Sequence, residues 1–198
     1  VKVFLDDYAY LAQLMINFYE TTGEVNYLDD AKKIVQQTWD LFYDKENKIL
    51  QKNPIKQNDL FVPPLDINDS NIPNGNSVFL LNCKKLEAIT NDIKWQGMAK
   101  ELIQSFHSFL NLKSTQMTSY IKNLDMCEEL TTFTFFGDIK KIKELQQFVK
   151  KNYLKSSTLI YKEDPKENYL VVCKNQTCSN KIKSVEELKS VAKNYAIW

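Results

Sequence analysis

The sequence predicts a mainly α protein, built of repeated helical hairpins and ending in a small C-terminal βαββα unit. Three observations carry that expectation. Apolar residues recur at spacings of three and four through most of the first 129 positions. The helical part resembles itself at a shift of 68 positions. After residue 130 the pattern turns to β-branched and aromatic runs such as Thr131-Thr132-Phe133-Thr134-Phe135-Phe136. Residues 1–129 are therefore read as the helical-hairpin part and 130–198 as a small α/β unit.

Asp6-Asp7 open the first helix, where acids suit both the cap and the helix dipole. Its apolar spacing is that of Tyr8, Leu11, Ala12, Met15, Phe18 and Tyr19, and Thr21-Thr22-Gly23 ends it with a glycine able to take the left-handed cap. A second helix carries Leu28, Ala31, Val35, Thr38 and Phe42 on its inward stripe. Residues 44–74 lose the helical period; Pro and Asn punctuate short β-like pieces, Ile49-Leu50 and Leu60-Phe61-Val62. A connection this long inside a compact domain points to function. A third helix, about Asn76 to Thr90, is apolar nearly all round and so is expected to be buried on several sides. The fourth uses Trp95, Met98, Ala99, Leu102, Ile103, Phe106 and Leu110; a shorter fifth, about Thr115 to Met126, uses Met117, Tyr120, Ile121 and Leu124.

In the tail, Gly137-Asp138 turns the first strand into a helix with Ile139, Ile142, Leu145, Phe148 and Val149 inward. Thr158-Leu159-Ile160-Tyr161 and Tyr169-Leu170-Val171-Val172-Cys173 read as two more strands. Ser184 and Glu187 form a capping box for a last helix from Val185 to Tyr195.

The shift of 68 sets Leu11 on Phe79, Met15 on Cys83, Phe18 on Leu86, Thr22-Gly23-Glu24 on Thr90-Asn91-Asp92, Tyr27 on Trp95 and Ala31 on Ala99. Glycine and asparagine both tolerate the left-handed cap, so the substitution at that turn keeps its physics. The first four helices are thus two copies of one hairpin. The same shift places Asp6-Asp7-Tyr8-Ala9 on Asn74-Gly75-Asn76-Ser77. Two polar clusters then stand at the N-termini of equivalent helices, and side-by-side hairpins would open both on one face. Stacked hairpins need several repeats or caps, which points either to the tail as a cap or to hairpins supplied from elsewhere.

Composition narrows the function classes. With 43% hydrophobic and 26% charged residues the chain has ample material for a core and none of the bias of a disordered one. A net charge of +1 gives no electrostatic reason to expect nucleic acid. All 26 basic residues are lysine, so the bidentate arginine forks of guanine or phosphate recognition are missing. No apolar run reaches the roughly 20 residues of a bilayer span, and no signal-peptide pattern opens the chain, so a cytoplasmic place is expected. A start at Val1 rather than Met predicts a piece of something longer. Cys83 and Cys127 read as small buried hydrophobes, while Cys173 and Cys178 lie close together at a strand end.

One series of motifs carries a resemblance. In order they are Leu5-Asp6-Asp7-Tyr8-Ala9-Tyr10-Leu11, Tyr19-Glu20-Thr21-Thr22-Gly23 with Tyr27-Leu28, and Ile72-Pro73-Asn74-Gly75-Asn76-Ser77-Val78. Val172-Cys173-Lys174-Asn175-Gln176-Thr177-Cys178 with Glu186-Glu187-Leu188 completes it. The series resembles the C-terminal part of the thioredoxin-domain-containing proteins of the YyaL type, related to the spermatogenesis-associated thioredoxin-like protein. The resemblance implies a parent with an N-terminal thioredoxin-like domain followed by a six-hairpin α/α toroid, similar to those of acylglucosamine epimerases and six-hairpin glycosidases. This chain would be a partial α/α toroid, about the last half. Its partners would be the missing half and the thioredoxin-like domain, or another copy by self-association. It departs from the family at Asn47-Lys48-Ile49-Leu50 and at Pro63-Pro64-Leu65-Asp66.

Candidate site residues follow. Of Asp6 and Asp7, one carboxylate could act as general base or acid in a cavity, its pKa raised by its neighbour, or the two could simply cap a helix. Tyr8, Asn74, Asn76 and Ser77 could bind sugar hydroxyls, with Asp66 and Asp69 on the same rim; the alternative for the Asn-Ser cluster is a turn with an N-cap. Cys173 and Cys178 could form a redox pair or a loop disulfide. His107, the only histidine, lacks the partner that acid–base epimerisation by two histidines needs. One glycine at Gly137-Asp138 cannot make a dinucleotide loop, and two cysteines make a poor zinc site, so no cofactor or metal is expected. Two functions remain: a carbohydrate-active toroid fragment, or a non-catalytic scaffold serving a thioredoxin-like domain in thiol–disulfide chemistry.

Overall fold

A computed structural model describes residues 3–55, 67–152 and 156–194. Over these the chain is mainly α, with seven α-helices and a small sheet. It divides into two compact units, Val1–Asp125 and Met126–Trp198. Asp66 and Leu60-Phe61-Val62 lie outside the described residues.

The first unit begins with α1 (Leu5–Thr22) and α2 (Val25–Phe42), then a two-stranded ribbon of β1 (Tyr43–Asp44) and β2 (Ile49–Leu50). Next come α3 (Gly75–Thr90), α4 (Ile93–Lys113), a short 3₁₀ turn and the start of α5 (Thr118–Glu128). Packing runs from α2 to α1, from α1 to α3 and from α3 to α4.

The turns that close the two hairpins match bond for bond. Gly23 (φ 78°) and Asn91 (φ 56°) both take the left-handed cap, and their N–H groups donate to Tyr19 O and Glu87 O at 2.7 Å each. Thr22 Oγ1 donates to Phe18 O as Thr90 Oγ1 does to Leu86 O, at 2.8 and 2.7 Å. Each threonine hydroxyl then accepts from the residue two positions on, Glu24 N and Asp92 N. Tyr27 N and Trp95 N donate to Glu24 O and Asp92 O, both at 3.2 Å. The threonine before the left-handed residue thus ties helix end to helix start in both copies.

α1 and α3 lie side by side with their N-termini together. Gly75 is packed so closely that a Cβ there would sit 2.6 Å from Asp6 Oδ1 and 2.7 Å from Leu5 Cγ. Farther along, Asn82 Nδ2 donates to Ala9 O at 2.8 Å, and Lys85 Nζ meets Glu20 Oε2 at 2.8 Å. Small residues on α1, Ala9 and Ala12, allow that approach. The burial of α1 departs from the expected stripe: Leu5, Ala9, Ala12, Ile16 and Tyr19 face inward, whereas Leu11 and Phe18 are exposed. The helix is apolar on more than one face, so its spacing alone does not choose which face is covered. In α5, Met117 before it and Tyr120 are buried, but Ile121 is exposed and Asn123 takes an inward place.

Phe106 and Tyr120, both buried, join α4 to α5 with their rings stacked at 4.6 Å, and Trp95 is buried in the first turn of α4. Trp39 stacks on Tyr43 at 3.8 Å and lies 6.0 Å from Phe79, joining α2 to α3. The Tyr43 hydroxyl donates to Glu101 of α4; burial first, then that carboxylate, holds the phenol well above its ordinary pKa.

The second unit has a four-stranded sheet ordered β4 (Ser157–Lys162), β3 (Thr131–Phe136), β5 (Tyr169–Lys174) and β6 (Thr177–Cys178). β3 and β4 are parallel, joined by α6 (Lys143–Asn152), and β5 runs antiparallel to β3. Phe133, Phe135, Leu159, Leu170 and Val172 form its core with Leu145 and Val149 of α6 and Leu188 and Ala192 of α7 (Val185–Asn194). Glu187 N donates to Ser184 Oγ, while the Glu187 carboxylate reaches back to Lys183 N, one residue before the expected partner.

Candidate functional site

The two polar clusters meet, because α1 and α3 are parallel neighbours and Gly75 carries no side chain to hold them apart. Their environments differ. Asp6 is half-buried beside Gly75, Asp7 is exposed and Tyr8 is half-buried, its ring 5.6 Å from that of Phe42. Asp7 Oδ2 accepts from Phe4 N at 3.1 Å, the reach-back of a helix start. That bond occupies one carboxylate oxygen and leaves the group in solvent.

Asn74, Asn76 and Ser77 are buried. Asn74 is the N-cap of α3: its Oδ1 accepts from Ser77 N at 3.0 Å, and its Nδ2 donates to Ile67 O and Asp69 Oδ1, both at 3.1 Å. Asn76 acts as a strand would toward Leu50 of β2. Its Oδ1 accepts from Leu50 N at 3.0 Å and its Nδ2 donates to Leu50 O at 2.8 Å. Ser77 receives Asn123 of α5, whose Nδ2 donates to Ser77 O and Oγ at 3.0 Å. The polar groups of this tip are committed to the loop before it, the ribbon beside it and the helix over it.

Asp69 ties that loop to α5. Oδ1 accepts from Asn74 N and Nδ2 and from the Ser119 hydroxyl, and Oδ2 accepts from Ser119 N at 2.7 Å and Thr118 Oγ1 at 3.1 Å. Burial pulls its pKa upward, but the bonds from Ser119, Asn74 and Thr118 outweigh that and hold the carboxyl below its usual value. Nearby, Tyr10 OH donates to Pro73 O at 3.0 Å; burial, then the charges of Asp6 and Asp69, push its pKa up. Asp6, Tyr10 and Asp69 therefore share one electrostatic neighbourhood at the meeting of the tips. Beside it lies an open groove of about 310 Å³ between the loop Asp69–Pro73 and the first turns of α5 at Thr118, Ser119 and Lys122.

Tyr10, Asn123 and Ser119 were not singled out by the sequence. Tyr10 falls on Val78 under the repeat, and the other two sit in an ordinary amphipathic helix. Among the described residues no three His, Cys, Asp or Glu side chains converge as a metal site, and no helix is long and apolar enough to cross a membrane. His107 is exposed on α4.

In the second unit Cys173 and Cys178 are joined in a disulfide, directly opposite each other in the β5–β6 hairpin. The loop between is Asn175-Gln176, both at positive φ (50° and 64°), the backbone of a tight two-residue hairpin. Cys173 is half-buried and Cys178 exposed.

No protein-family model matches the chain, and no curated protein matches it.

Proposed function

We propose that this chain is the C-terminal part of a YyaL-type thioredoxin-domain-containing protein. Its hairpins would form half of an α/α toroid whose N-terminal mouth takes a sugar-like small molecule. The observation that carries this reading is the contact of Gly75 with Leu5 and Asp6, which brings two polar tips from distant sequence to one mouth. In this reading Asp6 and Asp7 are the acid–base pair at the rim, and Tyr8 and the Asp69–Lys122 groove contact the ligand. Asn74, Asn76 and Ser77 then serve as positioning residues, because their polar groups hold the backbone that shapes the mouth. Titration with mono- and disaccharides, followed by amide chemical shifts, tests it. Saturable shifts at Asp6–Tyr8 and Ser70–Ile72 that weaken in Asp6→Asn support the reading; no shift at millimolar sugar ends it.

A second reading, favoured by the burial of the whole α3 tip, is a non-catalytic scaffold for a thioredoxin-like domain in thiol–disulfide chemistry. In it the chemistry would lie at Cys173 and Cys178, a bonded pair of which Cys178 is exposed. Counting thiols in the folded chain separates the two. A gain of two accessible thiols under a mild dithiol, with no sugar response, favours the scaffold; a pair that resists reduction while folded counts against it.

A further inference from the structure

Two asparagines of the chain stand in the Asn-x-Ser/Thr pattern that accepts an N-linked glycan, Asn68 in Asn68-Asp69-Ser70 and Asn175 in Asn175-Gln176-Thr177. The fold treats them in opposite ways. Asn68 is half-buried, and its Oδ1 is closed off from solvent. Asp69, the next residue, is bonded through both carboxylate oxygens to Asn74, Thr118 and Ser119, and Ser70 N donates to Ile72 O at 3.3 Å. A sugar on Asn68 would have to fit inside the clamp that ties this loop to α5.

Asn175, Gln176 and Thr177 are all exposed, at the tip of the β5–β6 hairpin. Asn175 has φ 50°, a left-handed backbone that asparagine tolerates better than most residues. Among the described residues no hydrogen bond holds its side chain. Lys174 and Thr177 face each other across the turn, and the next pair is the disulfide Cys173–Cys178. Such bonds form and persist in oxidising compartments, which are also where asparagine receives its glycan. An exposed acceptor and a bridge closing the hairpin beneath it are separate observations that point to one setting.

We infer that Asn175 is an N-glycosylation site and that its hairpin faces an oxidising lumen or the cell exterior. This replaces the cytoplasmic expectation, which rests on the lack of a signal pattern near Val1 and not on the hairpin. The donor is a polyprenyl-diphosphate oligosaccharide, used by a membrane-bound transferase. A bond forms from Asn175 Nδ2 to C1 of the first sugar as the bond from C1 to the diphosphate oxygen breaks. The amide gives up one proton, and the lipid diphosphate leaves with the electron pair. The Thr177 hydroxyl completes the motif the transferase reads. The inference rests on neither functional reading above, so failure of the sugar titration leaves it standing.

The test is peptide mapping of the full chain isolated from the cells that make it, with free thiols alkylated at lysis. Expected is a peptide around Asn175 found bare only after treatment with peptide-N-glycosidase, which leaves Asp at that position. Cys173 and Cys178 should escape alkylation, and Asn68 should be unmodified. On a gel the enzyme should shift the chain to higher mobility. Thr177→Ala, which keeps both turn residues, should abolish that shift, whereas Thr177→Ser should retain it. A bare Asn175 peptide before enzyme treatment, a glycan on Asn68 alone, or alkylated Cys173 and Cys178 overturns the inference.

Discussion

The tips of α1 and α3 stand side by side, yet one is a rim and the other a joint. At α1 the acids stand at the surface, with Asp7 in solvent and Asp6 half-covered. At α3 amide and hydroxyl groups are sealed inside, Asn74 bonded to the loop before it and to Ser77 N, Asn76 to Leu50 and Ser77 to Asn123. The difference follows from how each start is bonded. α3 has a ribbon, a loop and α5 bonded to the side chains at its start, whereas the start of α1 meets the segment after the ribbon through one main-chain bond, Leu5 N to Lys52 O. Amide and hydroxyl groups, which both donate and accept, thus serve as scaffold where buried backbone groups need partners, and acceptor-only carboxylates stand where solvent reaches them.

Breaking the joint should cost most. Asn76→Ala strands both the N–H and the C=O of Leu50 in a buried place, so a loss of about 3 kcal/mol is expected in chemical denaturation. Asp69→Ala removes the clamp on Asn74 and the first turn of α5, and about 2 kcal/mol should go with it. Its pH dependence has a definite sign. Because the folded carboxyl is held below its unfolded pKa, its contribution is complete above that unfolded value, roughly 4, and is lost as pH falls through the folded one. Asp69→Asn should therefore flatten the acid limb of stability, measured as denaturation midpoint from pH 6 to pH 2. At the rim the effect should be least: Asp7→Ala gives up one exposed capping bond, worth about 0.5 kcal/mol. Equal costs at Asn76 and Asp7 would erase the distinction between joint and rim.

Much of this was legible beforehand. The helix order, the duplicated turn chemistry around Thr22-Gly23 and Thr90-Asn91, and the strands of the tail follow from local rules of capping and periodicity. The face that α1 buries was not legible, because Leu11 and Phe18 satisfy the same spacing as Ala12 and Tyr19 and only a neighbour decides between them. Nor did the sequence reveal that Asn76 spans to Leu50, a partner 26 positions earlier in a segment without helical pattern. An asparagine before an apolar run reads alike as cap, ligand group or bridge. Tyr10 escaped notice for the opposite reason, since its role arises only where Pro73 and two carboxylates converge on it.

The contact of the two tips is the claim on which both rim and joint depend, and a double-mutant cycle at Gly75 and Leu5 measures it. Alone, Gly75→Ala should lose about 1–2 kcal/mol, since the crowded Cβ outweighs the gain in helix propensity. In a Leu5→Ala background, where of the crowding atoms only the end of the Asp6 side chain remains, the same change should cost less by about 1 kcal/mol, and that difference is the coupling. Strict additivity of the two substitutions would contradict the account, for it would mean that the start of α3 does not rest against the start of α1.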